Sequence, residues 1–94
     1  MKFIVQWNGL PSAELSVIER FMKTGGKPPE GVKLLGRWHA TGGLHGVAIV
    51  EADDTRPLAT MALEWGDLLS MTISPAMTDE DLGAVLAADQ AARK

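Results

Sequence analysis

The chain contains no cysteine. It therefore has no disulfide to staple a small fold and no thiolate to ligate a metal or attack a substrate. It also lacks any apolar run near the ~20 residues a membrane-spanning helix needs. Its opening, MKFIVQW, turns polar at Gln6 and Asn8 without the long apolar segment and small-residue cleavage site of a signal peptide. Positive charge is scarce and scattered: nine Lys and Arg against twelve Asp and Glu give a net charge of −3. Nucleic-acid binding calls for a clustered cationic face, so that class is set aside. No P-loop, G-x-G-x-x-G, nucleophile elbow or His-Glu-x-x-His is present, and Gly42-Gly43 is too short to cradle a phosphate. These absences lead to the expectation of a soluble cytoplasmic protein with no nucleic-acid partner, no membrane, and no resident metal or cofactor.

What remains is the composition of one folded domain over residues 1–94, with 46% apolar and 22% charged residues. A chain of this length buries only roughly 60–65% of its unfolded surface. With no disulfide available, association with a second copy is the usual way to make up for a thin core.

The order of elements is legible. Lys2 to Asn8, KFIVQWN, is rich in β-branched and aromatic residues and reads as a strand. Gly9-Leu10-Pro11 breaks it. Ser12 is placed to cap a helix over Ala13 to Lys23, whose Leu15, Ile18, Phe21 and Met22 recur at helical spacing. Gly25 suits the left-handed position that ends a helix. After the GKPPEG loop come a strand over Val32 to His39, a turn over Ala40 to Leu44, and a strand over His45 to Ala52. Asp53-Asp54-Thr55 caps a second helix carrying Leu58, Met61, Ala62 and Trp65, and Gly66 ends it. Leu68 to Ile73 alternates as a half-buried strand, closed by Pro75. Thr78 with Asp81 opens a third helix over 78–94 with Leu82, Val85 and Leu86, and its alanine-rich end, AADQAARK, is expected to fray. The fold class is α+β. The order β-α-β-β-α-β plus a C-terminal helix is the ferredoxin-like arrangement on one antiparallel sheet.

A regular hairpin with His39 opposite His45 would sort the side chains by face. Arg37/Val47, Leu35/Ile49 and Lys33/Glu51 then share an open face with both histidines. Trp38/Gly46, Gly36/Ala48, Leu34/Val50 and Val32/Ala52 face the helices. Three apolar residues ringed by charge on the open face predict a homodimer whose sheets pack face to face. A one-residue shift in register would exchange these assignments.

The stretches MKFIVQW at Met1 to Trp7, PPEGVKLLGRWH at Pro28 to His39 and AIVEADD at Ala48 to Asp54 resemble an uncharacterised family of short bacterial proteins, a domain of unknown function. The likeness covers roughly residues 1–77, with G-R-W-H and V-E-A-D-D its most specific parts. That family is similar to members of the dimeric α+β barrel superfamily. The superfamily includes cofactor-free monooxygenases, small isomerase- or lyase-like enzymes, haem-degrading proteins and relatives of chlorite dismutase. The resemblance implies the fold and the dimer and carries over no catalytic residue; fold alone does not license a function.

The residues with chemistry to offer cluster in GRWHATGGLHG, Gly36 to Gly46, which holds both histidines and one of the three tryptophans. His39 and His45 read as a proton-transfer pair, as two imidazoles that bind a divalent metal with Glu51 or Glu64, as a single ligand-contacting His39, or as strand-end residues flanking a glycine loop. Glu51 lies roughly 20 Å away along the strand at about 3.3 Å per residue, too far to share a metal with them. Trp38 and Trp65, with Trp7 near the end of the first strand, are candidate walls of an apolar pocket or simply core filler. Glu64 beside Trp65 is a candidate catalytic carboxylate if it faces that pocket, and otherwise a solvated helix residue. Arg37 offers a planar fork for a substrate carboxylate or an intersubunit ion pair to Glu51 or Asp67. Asp53-Asp54 is explained by helix capping. Two functions stay open: a homodimer binding a small organic molecule between sheet and helices, with cofactor-independent monooxygenase or isomerase chemistry within reach, or a non-catalytic interaction or scaffold module whose polar sheet face only specifies the dimer.

Overall fold

The computed structural model describes residues 1–93. It is an α+β fold with one four-stranded antiparallel sheet and three α-helices. In chain order these are β1 (Lys2–Gly9), α1 (Glu14–Thr24), β2 (Lys33–His39), β3 (His45–Glu51), α2 (Arg56–Trp65), β4 (Leu69–Pro75) and α3 (Asp79–Ala92). The strands lie in the order β2-β3-β1-β4, each antiparallel to its neighbours. Pro75 ends β4 at the sheet edge, where its missing N–H leaves no ladder bond unmade. Among the described residues no helix is long and apolar enough to cross a membrane.

One sheet face and α2 form the core. Phe3 and Val5 of β1, Ala48 and Val50 of β3, Leu58 and Met61 of α2, and the flanking Val32 and Ala52 are buried together. Trp7, Leu34, Met71 and Ile73 pack against them. The period-two pattern of a half-buried strand puts the odd residues of β1 on this face and Ile4, Gln6 and Asn8 on the other.

Local signals hold with adjustments at the ends. A 3-10 turn at Pro11–Ala13 precedes α1, whose N-cap is Ala13 without a side-chain bond, so Ser12 does not cap it. Gly25 ends α1 at φ 72°, and its N–H donates to the Phe21 carbonyl at 2.7 Å. At α2 the capping oxygen is that of Asp54, which accepts the Arg56 N–H at 2.9 Å. Thr78 caps α3, its hydroxyl accepting the Asp81 N–H at 3.1 Å. The alanine-rich end expected to fray is helical through Ala92; residue 94, part of that expectation, lies outside the described residues.

The hairpin departs from the regular register. Lys33 pairs with Glu51 and Leu34 with Val50 as expected, but the ladder then shifts, pairing Gly36 with Ile49, Arg37 with Ala48, Trp38 with Val47 and His39 with Gly46. A β-bulge at Leu35 absorbs the extra residue. It exchanges the faces of everything after it in β2. Arg37 and His39, expected on the open face, lie on the helix side. Trp38 and Gly36, expected on the helix side, lie on the open face. The physical reason is competition for one glycine. Trp7 pairs with Gly46 on the helix face, and its indole already occupies the space a side chain there would fill. The regular register would have sent Trp38 to the same place. The bulge sends it instead across Gly36 on the opposite face.

Candidate functional site

No residue of α1 is buried. Between this helix, the sheet and the middle and end of α2 lies a cavity of about 310 Å³. Its floor is Val5, Trp7, Ala48 and Val50 of the central strands; its walls are Phe21 and Ile18 of α1, Met61 and Trp65 of α2, and Leu69 and Met71 of β4. This volume falls at the small end of ligand pockets, about 300–1,000 Å³, and the apolar lining is of the usual kind.

Two of the polar side chains at the cavity come from β2, and the bulge is what turns them inward. The His39 ring meets Trp7 edge-on at 5.7 Å between centroids and Phe21 at 5.5 Å, so two aromatic rings fix its position. Arg37 crosses to the end of α1. Its Nη1 donates to the Gly26 carbonyl at 2.6 Å and its Nη2 to the Gly25 carbonyl at 3.2 Å, and the guanidinium stands 5.0 Å from the centre of the Phe21 ring. These carbonyls lie just past the C-terminal end of α1, where the partial negative charge of the helix end favours a cation. Gly26, at φ 62°, permits the approach: a Cβ there would come within 2.5 Å of the Phe21 ring and 2.9 Å of Arg37 Nη1. Lys27, in the same loop, completes the positive side of the cavity.

The other residues singled out in the sequence take varied places. Trp7 and Trp65 line the cavity. Trp38 does not; it is 60% exposed on the far side of the sheet. His45 stands at the cavity rim beside Gly43, and its strand position pairs with Asn8 on the open face. The two histidines therefore approach the site from opposite faces rather than sharing one. Glu64 is exposed and does not line the cavity; it lines an adjoining outer groove with Glu19, Arg20, Lys23 and Lys27. Within the chain Glu51 pairs with Lys2 at 3.4 Å, and Asp67 pairs with Arg20. Among the described residues no three histidine or carboxylate side chains gather at metal-binding distance.

Sequence reasoning missed Arg20. It binds Asp67 through two bonds of 2.8 Å, donates to the Glu64 carbonyl at 2.8 Å and lies 5.5 Å from the centre of the Trp65 ring. It thereby locks α1 to the end of α2 over one wall of the cavity. The hydrogen bonds from Arg20 hold the Asp67 carboxyl below the usual carboxylate range. An arginine one residue before Phe21 on a helix gives no sign of this partner, which lies 47 residues away.

The family model of a domain of unknown function, DUF3303, matches residues 1–90. The chain belongs to that family. The match runs from the first strand into the last turns of α3, so the terminal helix is part of the family's module as much as the sheet is. No curated protein matches the chain.

Proposed function

We propose that this DUF3303 protein is a homodimer of ferredoxin-like, dimeric α+β barrel type that binds a small organic molecule in the cavity between its sheet and helices. The observation that carries the reading is the cavity itself: about 310 Å³, apolar, and presented with His39 and Arg37 by the bulged strand. His39, steadied by Trp7 and Phe21, is the group able to give or take a proton from a ligand held against the apolar floor. Such an arrangement suits cofactor-independent chemistry of the isomerase or monooxygenase kind on a molecule with an acidic C–H or O–H.

Two observations favour the dimer. The open sheet face carries Trp38 beside Val47 and Ile49, next to Ile4 of β1, with Lys2, Lys33 and Glu51 toward one end, an apolar centre with a charged rim. The helix α3 holds no buried residue and leaves Leu82, Val85 and Leu86 exposed, in a molecule extended to 56 Å along its longest axis. A helix of this length is marginal in water without a packing partner, and a second copy supplies one.

A thermal-shift screen across classes of small organic molecules tests the ligand reading. At least one class should raise the melting temperature of the wild-type chain, and filling the cavity with Ala48→Leu should cancel that rise. If no class moves the melting temperature, the cavity has no ligand and the reading fails.

A further inference from the structure

We infer that the ligand of this cavity is an apolar organic anion, a carboxylate, sulfonate or enolate on a hydrocarbon or aromatic frame, with its charge at the Arg37–Lys27 side. The inference rests on the cavity being a ligand site and adds the class of ligand.

Charge at the site runs against the charge of the chain. The protein has twelve acidic residues to nine basic ones. Yet among the described residues the cavity lining contains no aspartate or glutamate, and its charged side chains are Lys27 and Arg37, with His39 and His45 as the titratable neighbours. The opposite wall, formed by Met61, Leu69 and Trp65, is apolar. A molecule that fits therefore has one charged end and an apolar body.

Among the described residues neither Arg37 nor Lys27 forms an ion pair with a carboxylate. Asp67 is taken by Arg20, Glu51 by Lys2, Asp54 by Arg56 and Asp89 by Arg93. Among the described residues Arg37 bonds the neutral carbonyls of Gly25 and Gly26 alone. A helix C-terminus carries the equivalent of about half a negative charge, so it offsets only part of the full charge of Arg37; Lys27 also borders the outer groove with Glu19 and Glu64 but forms no salt bridge to either. A guanidinium has five N–H donors, and the two carbonyl bonds leave others for an oxyanion. A cationic ligand meets the wrong sign here, and Arg20 already lies against the Trp65 ring.

Two fluorescent probes on the same ring frame separate the possibilities: 8-anilinonaphthalene-1-sulfonate, an apolar anion, and N-phenyl-1-naphthylamine, which lacks the sulfonate. Both are titrated into the intact protein at low salt and at 1 M NaCl. The expected result is that the sulfonate binds about tenfold more tightly at low salt and loses most of that advantage at 1 M, where the screening length falls to about 3 Å. In Arg37→Gln the preference should fall several-fold, with affinity for the neutral probe kept within twofold. Lys27→Glu, on an exposed loop, should do the same with no change in melting temperature, so the test does not depend on Arg37→Gln folding. If both probes bind equally and without salt dependence, the cavity reading stands and the anion inference is overturned. If the sulfonate preference survives Lys27→Glu and Arg37→Gln, the anion is bound elsewhere and the inference is likewise overturned. If neither probe binds the wild-type protein, the cavity reading falls and the inference falls with it.

Discussion

The indole of Trp7 lies across the bare backbone of Gly46, its partner on β3, on the helix-facing side of the sheet. A Cβ at position 46 would collide with that indole and come within 2.5 Å of the Trp38 carbonyl oxygen. The carbonyl belongs to backbone and cannot swing aside. Gly46→Ala is therefore expected to destabilise the fold by about 1–3 kcal/mol, the usual cost of overpacking. Urea unfolding followed by tryptophan fluorescence measures it; a variant as stable as the wild type would show that the indole does not cover the glycine.

The bulge makes a test of register by deletion. Removing Leu35 leaves Leu34 opposite Val50 and Gly36 opposite Ile49 in one regular ladder, with Arg37 and His39 still facing the helices. The deletion is expected to fold, with a melting temperature within several degrees of wild type and the same Trp7 emission. In the unbulged register the same deletion would throw Arg37, Trp38 and His39 onto the wrong faces. Loss of the cooperative transition would thus overturn the bulged pairing.

Acid should release the tie between α1 and the end of α2. The Asp67 carboxyl is held low by hydrogen bonds from Arg20, so the folded state binds this proton less readily than the unfolded chain does. The resulting stability is present above the ordinary aspartate value of about 3.9 and is lost as pH falls through the lowered folded value. Asp67→Asn is expected to melt below the wild type at neutral pH and to converge with it in strong acid. Asp54, held low by its hydrogen bonds from Arg56, adds loss in the same direction, so the two proteins are compared with each other rather than with a fixed baseline. Parallel melting curves from pH 7 to pH 2 would contradict the pairing.

The assembly is tested at Trp38, exposed on the sheet face away from the cavity. Light scattering at micromolar concentration is expected to give the mass of a dimer. Trp38→Glu should shift it to the monomer, because a carboxylate buried in an apolar contact without a partner is strongly disfavoured. The substitution should leave the binding of the neutral naphthylamine probe within a few-fold. A wild-type protein that scatters as a monomer would overturn face-to-face packing.

Much of this architecture follows from local pattern. The alternation of Phe3, Val5 and Trp7, the helical spacing through Met61 to Trp65, the left-handed Gly25 and the Thr78 cap are each decided within a few residues, because strand and helix periods and cap chemistry are short-range. Element type and order were legible for that reason, and so were Trp7, Trp65 and His39 as residues worth placing. The faces of Arg37, Trp38 and His39 were not. Period two predicts a side only while the ladder is regular, and whether it stays regular was decided by Trp7 claiming Gly46 from the other strand. The Arg20–Asp67 lock, the capping of Gly25 and Gly26 by Arg37, and the removal of Glu64 from the cavity belong to the same class. Each depends on which distant groups the packed sheet and helices bring within hydrogen-bond reach, and spacing along the chain carries no record of that. The sequence by itself determined the elements and their order; the tertiary structure alone decided which of its charged and aromatic side chains share a cavity.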